Sequence, residues 1–337
     1  MNSTIFDNLI TQQKSIIVTG DRPTGPLHLG HYVGSLANRI NLQDKHDMFV
    51  LIADTQVLNN DITKSKDVKK NTLEVMRDYL AVGLDPQKIH FFLQSEILEL
   101  FELTNYFANI ATLSQVQRIP TIKVENEMYN SVMSMGFLNY PISQTADIAL
   151  FGGELVPVGI DQLPILEFGN DLIDRFHYHF KCNIFKKIKP LLSNNPKLLG
   201  IDGNQKMSKS LNNSIMLGDD EKIVNQKIYQ MYTDPSHIKV SDPGKIEGNV
   251  VFMFLDVFHQ DKIELEELKK NYQMGGLGDM VLKKILMKDI NFFLDPIRTK
   301  RNSYSDSYLK NVLEEGTLYT QSVAKNNMKK IKEIIFQ

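Results

Sequence analysis

Short apolar runs alternate with amphipathic stretches through the first half of the chain. Four runs are rich in β-branched or aromatic residues, as in strands buried on both faces: Ser15–Thr19, Met48–Ala53, Ile89–Leu93 and Leu155–Val158. Between them, apolar residues recur at helical spacing in three segments: Ser65–Val82, which Gly83 can stop, Leu98–Gln115 and Asp161–Phe180. Strands alternating with helices predict an α/β fold with a parallel sheet, which binds ligands at the carboxyl ends of its strands.

The second half of the chain has a different pattern. Strand signals fade after about residue 185, and the polar stretch Ser193–Pro196 and the loop Gly200–Gln205 break the alternation. Helical patterns then dominate: Asp219–Tyr232, Val250–Gln260, Lys262–Tyr272, Asp279–Leu294 and Tyr308–Phe336. We therefore expect an all-helical second part, with divisions at 1–185, 186–290 and 291–337. The last helix has an apolar side that can pack onto the first domain: Val323, Met328, Ile331 and Ile335.

Composition narrows the class of protein. A chain of 337 residues that is 42% hydrophobic and 23% charged is an ordinary globular chain, of two domains at about 150 residues each. The single cysteine, Cys182, excludes a disulfide framework and a cysteine-based zinc cluster. No apolar run reaches the ~18 residues of a membrane span, and the first fifteen residues lack the pattern of a secretory signal. We expect a cytoplasmic protein without a membrane segment.

Charge is distributed unevenly along the chain. From Lys181 onward there are 25 lysines and arginines against 19 acids, a balance of +6, whereas residues 1–180 carry 13 against 21, a balance of −8. A basic half joined to an acidic half suggests that one half meets a polyanion. Scattered, solvated lysines explain the same numbers, so charge alone leaves both readings open.

The first predicted strand runs directly into a turn rich in glycine and proline, Gly20-Asp-Arg-Pro-Thr-Gly-Pro-Leu-His28-Leu-Gly30-His31-Tyr-Val-Gly34. A strand, such a turn and a helix start form a ready anion site. Gly30 and Gly34 leave room for a purine or a phosphate against the backbone, and His28 and His31 can donate hydrogen bonds to phosphate oxygens. The alternatives are structural histidines or a metal pair; because no third ligand lies nearby, we assign no metal site.

A second motif, Lys206-Met207-Ser208-Lys209-Ser210, follows the loop Gly200–Gln205. Two lysines three apart, flanked by hydroxyls, can close over a polyphosphate and neutralise the charge that builds up on it. Alone, these five residues are equally compatible with a solvated surface loop. Together with His28-Leu-Gly-His31 after the first strand, they resemble the HIGH and KMSKS motifs of class I aminoacyl-tRNA synthetases, which occur in this order.

Two further segments resemble the tryptophanyl-tRNA synthetases: Asn139-Tyr-Pro-Ile-Ser-Gln-Thr-Ala-Asp147-Ile-Ala-Leu and Val156-Pro-Val-Gly-Ile-Asp-Gln162. The similarity runs along nearly the whole chain. It implies a Rossmann-like catalytic domain (1–185) holding ATP and tryptophan, a helical anticodon-binding domain (186–290) and C-terminal helices that pack back (291–337). It also implies that L-tryptophan is activated to its adenylate and transferred to tRNA(Trp) by a homodimer.

The resemblance also assigns residues. It implies catalytic roles for His28, His31, Lys206 and Lys209. It implies that ATP, with Mg²⁺ but no dedicated protein site for the metal, meets Arg22, Thr24, Gly30, His31, Gly34, Gly159, Asp161, Met207, Ser208 and Lys209. It implies that tryptophan meets Tyr140, Gln144, Asp147, Val156, Val158 and Gln162. The sequence departs from many bacterial members at two of these positions, where those members carry glutamine in place of Arg22 and methionine in place of Gln144.

Physical chemistry supports one of these assignments in particular. Asp147 on a helix facing the pocket could accept the indole N–H, and a buried carboxylate left without its donor is costly, so substrates lacking that group would be rejected. Asp147 could equally be a helix residue paired with a lysine.

Three competing functions remain. A tyrosyl-tRNA synthetase has the same fold and reaction with another pocket. A small-molecule nucleotidyltransferase also carries His-x-Gly-His after its first strand, but is usually shorter. A non-catalytic synthetase paralogue that binds RNA would be expected to have eroded motifs, whereas both are intact here.

Overall fold

The computed structural model describes residues 14–59, 62–129, 133–192, 198–203, 207–209 and 211–337, without the side chains of 125–129. Lys206, Ser210 and the polar stretch Ser193–Pro196 lie outside the described residues, and so do the predictions made for them.

A parallel sheet lies at the centre of the molecule, as predicted. Its strands are β1 (Ile16–Asp21), β2 (Asp47–Ile52), β3 (Ile89–Leu93), β4 (Leu155–Val158) and β5 (Lys189–Leu192), in the order β3-β2-β1-β4-β5. All four neighbouring pairs are parallel, with Ile17 opposite Met48 on one side and Leu155 on the other. The central position of β1 puts the loop that follows it in the middle of the carboxyl edge, where such sheets bind ligands.

Helices connect the strands and form the rest of the chain. The first half contains α1 (Leu29–His31), α2 (Ala37–Leu42), α3 (Val68–Val82), α4 (Leu98–Ala108), α5 (Leu113–Arg118), α6 (Pro120–Tyr129), α7 (Met135–Ala149) and α8 (Leu163–Phe180). The second half contains α9 (Glu221–Tyr229), α10 (Val250–Phe258), α11 (Lys262–Met274), α12 (Asp279–Ser303) and α13 (Asp306–Ile335). A π-helical turn, Tyr32–Leu36, joins α1 to α2. The fold class is therefore confirmed: an α/β sheet domain followed by helices.

Several predicted boundaries are corrected. The strand β5 was not predicted, because it lies at the edge of the sheet and three of its four residues are exposed, which removes the apolar signal. The sheet therefore continues past the division expected at residue 185. The division expected after residue 290 falls inside α12, which continues through Pro296 to Ser303.

Other differences concern the helices of the first half. The predicted helix Leu98–Gln115 is two helices, because Thr112 begins a new one with a capping box to Gln115, a signal that the sequence contains. The predicted start at Ser65 belongs to a 3₁₀ turn before α3, whereas Gly83 ends that helix in the left-handed conformation as expected (φ +107°).

Unlike β5, the strands β1 to β4 are buried on both faces. Alternate residues such as Ile17 and Val50 face a core shared with α3 and the later helices α9–α12, whereas Val18 and Phe49 face a core shared with α4, α7 and α8. This is the pattern of a sheet covered by helices on both sides.

The last helix covers the exposed edge of the sheet. In α13, Gly316 lies so close to β3 that a Cβ there would sit 2.1 Å from the Phe91 carbonyl oxygen. The Leu93 amide donates to the Thr317 hydroxyl at 3.2 Å. Further along α13, apolar residues pack into the core around α4, α7 and α8: Val323, Ala324, Met328, Ile331 and Ile335. The packing expected for this helix is confirmed, and it protects an edge strand that could otherwise pair with another chain.

Candidate active site

Two segments far apart in sequence meet at the carboxyl edge of the sheet. We call residues 20–28 the early loop, and residues 207–209 and 211–218 the late segment. The Leu29 amide donates to the Ile215 carbonyl and the Leu217 amide to the Leu27 carbonyl, each at 2.9 Å. This short antiparallel bridge is centred on His28. The backbone therefore holds the residues that follow the second motif against the start of the first motif.

Side chains strengthen this junction. The Lys209 ammonium donates to the Gly25 carbonyl at 2.7 Å and to the Thr24 hydroxyl at 3.3 Å. A Cβ on Gly30 would lie 2.9 Å from Nδ1 of His28 and 3.2 Å from the Met207 sulfur, so this glycine leaves little space where the late segment crosses the helix start. Thr24, Gly30, Met207 and Lys209, each predicted from the sequence, thus lie together.

The two histidines begin the first helix. His28 is the N-cap residue of α1 and is buried, with a 3.7 Å separation between its ring centroid and that of His31. The His28 amide donates to Nδ1 of His31 at 3.2 Å. Capping is a structural role, and it also fixes both rings beside the early loop.

A buried charged group fixes the end of β1. Asp21 accepts a hydrogen bond from Arg39 at 2.8 Å and another from the Tyr79 hydroxyl at 2.7 Å. Burial disfavours the charged carboxylate, but Arg39, His31 and Tyr79 together lower the pKa of Asp21 to about 2. Sequence reasoning did not identify this group, because its members lie on three different elements.

A buried amide positions the late segment. The Ser208 amide donates to Asn213 Oδ1 at 2.8 Å, and Asn213 in turn donates to Asp202 at 3.2 Å. Asn213 is therefore a supporting residue that the sequence motif does not include. Burial lowers the pKa of the neighbouring Lys209 ammonium to about 8, although the charges of Asp21 and Asp78 oppose that shift.

Asp147 lies in a buried polar pocket on α7. It is 2% exposed, and Gln94 donates to both of its carboxylate oxygens at 2.9 Å while Gln56 donates to Oδ2 at 3.1 Å. The Thr55 hydroxyl donates to Oε1 of the Gln94 side chain and so orients the side-chain amide of Gln94. The lysine partner considered for Asp147 is thus wrong, since its partners are amides.

Burial raises the pKa of Asp147 to about 7, although the hydrogen bond from Gln94 opposes the shift. Gln94 directly follows β3, and Gln56 lies in the short turn Thr55–Asn59 after β2, so the carboxylate lies at the same edge of the sheet as the early loop. Neither glutamine was predicted. The available signal was their place, as polar residues soon after buried strands.

The other residues predicted for the aromatic pocket lie on α7, β4 and the turn after it. Tyr140 and Val156 are buried in the same core, and Val158 packs against it. Gln144 is half-buried on the helix that carries Asp147, and Gln162 is half-buried beside Asp161, to which it donates at 3.1 Å.

The remaining residues predicted for the nucleotide have different environments. Gly159 and Asp161 form the turn after β4, where a Cβ on Gly159 would meet the Asp161 carboxylate at 2.5 Å. Gly34 is exposed, with open space where a Cβ would point, and Arg22 is half-buried in the early loop.

Within the part of the chain that the structure describes, no three His, Cys, Asp or Glu side chains are arranged to hold a metal ion. No helix there has the length and apolar character needed to cross a membrane.

Comparisons with known proteins agree with this geometry. The family model described as tRNA synthetases class I (W and Y) matches residues 11–295. A tryptophan–tRNA ligase from Clostridium longisporum is 44% identical over 330 residues, covering 96% of this chain and 97% of the relative. One from Streptococcus mutans is also 44% identical, covering 95% and 97%.

Solved structures show the same similarity. The tryptophanyl-tRNA synthetase of Campylobacter jejuni complexed with ADP and tryptophan superposes with a TM-score of 0.84 at 29% identity, covering 96% of this chain and 100% of that one. The enzyme of Mycoplasma pneumoniae superposes with a TM-score of 0.81 at 26% identity, covering 96% and 98%.

Proposed function

The chain belongs to the class I tRNA synthetases of the tryptophan and tyrosine family, and we propose that it activates L-tryptophan with ATP and transfers it to tRNA(Trp). One observation gives the main support for this reaction. The Lys209 ammonium of the late segment donates a hydrogen bond to the Gly25 carbonyl of the early loop, so two motifs that are suited to binding a polyphosphate lie next to each other. The assignment of tryptophan as the amino acid is supported by the relatives at 44% identity, all of which are tryptophan–tRNA ligases.

The first step is adenylate formation. The tryptophan carboxylate attacks the α-phosphorus of ATP, an O–P bond forms, the bond to the bridging oxygen breaks, and pyrophosphate leaves. Because the attacking group is already charged, catalysis consists mainly of alignment and charge stabilisation. We assign His28 and His31 to the phosphates, and Lys206 and Lys209 to the charge that grows on pyrophosphate.

The burial of Lys209 fits that role. A desolvated ammonium is stabilised most by an anion, and the triphosphate would take over the place that the Gly25 carbonyl and Thr24 hydroxyl fill in the structure. For the base and ribose we propose contacts with glycines and neighbouring residues that leave the backbone accessible: Arg22, Thr24, Gly30, Gly34, Gly159, Asp161, Met207 and Ser208.

Mg²⁺ would enter with ATP. Ammonium and imidazole groups do not suit this metal, which prefers oxygen ligands and commonly keeps substrate phosphates and water around it. When bound, it shares with the lysines the neutralisation of the phosphate charge. The residues of the early loop and late segment therefore fit a metal held by the substrate better than a dedicated protein site.

The amino acid would be selected at Asp147. Its carboxylate is oriented by hydrogen bonds from the Gln94 and Gln56 side chains and can accept a hydrogen bond from the indole N–H. We assign Tyr140, Gln144 and Gln162 to the polar end of the substrate, and Val156 and Val158 to the ring. A substrate without the N–H would leave a buried carboxylate short of a donor, which is the physical basis of the selectivity.

In the second step a terminal ribose hydroxyl of the tRNA attacks the carbonyl carbon of the adenylate, and AMP leaves. We propose that the helices of 186–290 meet the anticodon and that lysines of α13 meet the RNA backbone, with a steep dependence on salt. Exposed apolar side chains on the neighbouring helices α5, α6 and α7 support a homodimer: Leu113, Val124 and Met135.

ATP–pyrophosphate exchange with each of the 20 amino acids in turn tests the proposal. Exchange with tryptophan alone is expected. Exchange with tyrosine alone would make the chain a tyrosyl-tRNA synthetase, and exchange with none, with adenylyl transfer to another small molecule, would make it a nucleotidyltransferase. Charging of tRNA(Trp) but not tRNA(Tyr) tests the second step.

A further inference from the structure

A buried carboxylate outside the predicted motifs holds the early loop. Asp78 on α3 is fully buried, and its Oδ2 accepts the Leu27 amide at 2.7 Å. Leu27 directly precedes His28 and pairs with Leu217 of the late segment. The carboxylate thus bonds to the backbone at the point where the two segments join.

An arginine from the second half of the chain completes this arrangement. Arg301 on α12 pairs with Asp78 and donates to Glu74 at 2.7 Å. It also lies against the late segment, since a Cβ on Gly218 would sit 2.8 Å from its Nε. Arg301 therefore contacts the late segment and the carboxylate that holds the early loop.

Other contacts fix Arg301 in this position. Arg77, also on α3, donates to the backbone carbonyls of Arg301 and Tyr304 and pairs with Asp306. The junction of α12 and α13 is thus attached to the same helix that holds the early loop. A displacement of α12 would move Arg301 relative to Asp78.

We propose that Asp78 is a positioning residue for adenylate formation, which holds the early loop through the Leu27 amide and the late segment through Arg301. The proposal rests on the function proposed above. Neither side chain is expected to touch the substrates. Their effect comes from placing His28 and Lys209, because a displacement of about 1 Å can slow an aligned reaction by about 100-fold.

The competing explanation is an ion pair that serves stability alone. The two explanations can be separated, because a buried ion pair can often be replaced by apolar residues of similar volume without loss of stability. Leucine at position 78 removes the acceptor for the Leu27 amide, whereas asparagine of nearly the same shape retains one.

The experiment compares two matched double variants, Asp78→Leu/Arg301→Met and Asp78→Asn/Arg301→Met. Thermal unfolding and tryptophan-dependent ATP–pyrophosphate exchange are measured for both and for the wild type. We expect the leucine variant to lose about 10- to 100-fold in kcat with an unchanged KM for tryptophan. The asparagine variant should recover most of that loss when both variants are assayed well below their Tm, although the unpaired Leu27 amide also lowers the Tm of the leucine variant.

Equal kcat values for the two variants, measured at a temperature at which both are folded, would overturn the proposal. If the leucine variant does not fold, the variant Gly218→Ala tests the proposal instead. Gly218 is exposed, and the methyl group added there would displace the Arg301 side chain. A lower kcat with an unchanged KM for tryptophan supports the proposal, and wild-type kcat overturns it. Exchange by the wild type tests the proposed function separately.

Discussion

Asp147 and Lys209 are two ionisable groups that burial moves in opposite directions. Burial raises the pKa of Asp147 to about 7 and lowers that of Lys209 to about 8. The charged form of each group has lost part of its hydration. We propose that a ligand compensates for this loss: the indole N–H at the Asp147 carboxylate, and the phosphates of ATP at the Lys209 ammonium. On the proposed assignment, each substrate would therefore compensate the charge that burial leaves poorly solvated.

The two sites differ in how they are held. Asp147 is fixed by side-chain amides that follow β2 and β3, within the sheet domain. Lys209 is half-buried and bonds to a loop 184 residues away in sequence. The proposed amino-acid pocket is thus pre-organised by the sheet domain, whereas the proposed nucleotide site depends on the junction between two distant segments.

The largest effect is expected at Lys209. Lys209→Ala should reduce kcat for tryptophan-dependent pyrophosphate exchange by about 100-fold or more, because its charge acts mainly in the transition state. Steady-state kinetics should give a nearly unchanged KM for tryptophan. If only that KM rises, Lys209 belongs to the amino-acid pocket and the contrast between the sites fails.

Asp147→Ala should act on selectivity. We expect discrimination between tryptophan and phenylalanine to fall by about 100-fold, because the buried acceptor no longer rejects a substrate without an N–H. The measurement is kcat/KM for each amino acid in pyrophosphate exchange. Asp171→Ala, at an exposed position of α8, is the matched control and should leave discrimination unchanged. Unchanged discrimination in Asp147→Ala would remove this residue from the pocket.

The pH dependence should separate the two sites next. Since the Lys209 ammonium loses its proton above about pH 8, kcat/KM for ATP should fall above that pH by at most about 10-fold per unit. In Lys209→Arg, whose side chain stays charged, kcat/KM for ATP should no longer fall above pH 8. In the same variant, kcat/KM for tryptophan should still decrease as the pH drops below about 7, because Asp147 becomes protonated. An alkaline limb that survives Lys209→Arg would assign it to another group.

The smallest effect concerns stability. The folded-state pKa of Asp147 is about 7, above its ordinary value of 3.8, so the folded state binds the proton more tightly. The free energy of unfolding should therefore fall as pH rises from about 4 to about 7. Relative to the wild type, Asp147→Asn should gain a few degrees more in Tm at pH 8 than at pH 5. An equal difference at both pH values would mean that Asp147 ionises without penalty.

Much of the sheet could be predicted from local pattern. The strands β1 to β4 are apolar runs because both faces are buried, and this requirement acts on each strand separately. The edge strand β5 carries no such signal because it is largely exposed. The motifs around His28 and Lys209 could be recognised for a similar reason, since the chemistry of phosphate binding restricts a short run of neighbouring residues.

Sequence by itself thus determined the period of strands β1 to β4 and of the main helices, the two motifs and the family. Tertiary structure alone decided the partners: Gln94 and Gln56 for Asp147, and Arg301 for Asp78 across 223 residues. The reason is physical. Burial and backbone geometry constrain residues close in the chain, whereas a buried charge can be satisfied by any donor that the fold brings near, and only the packed fold selects which one.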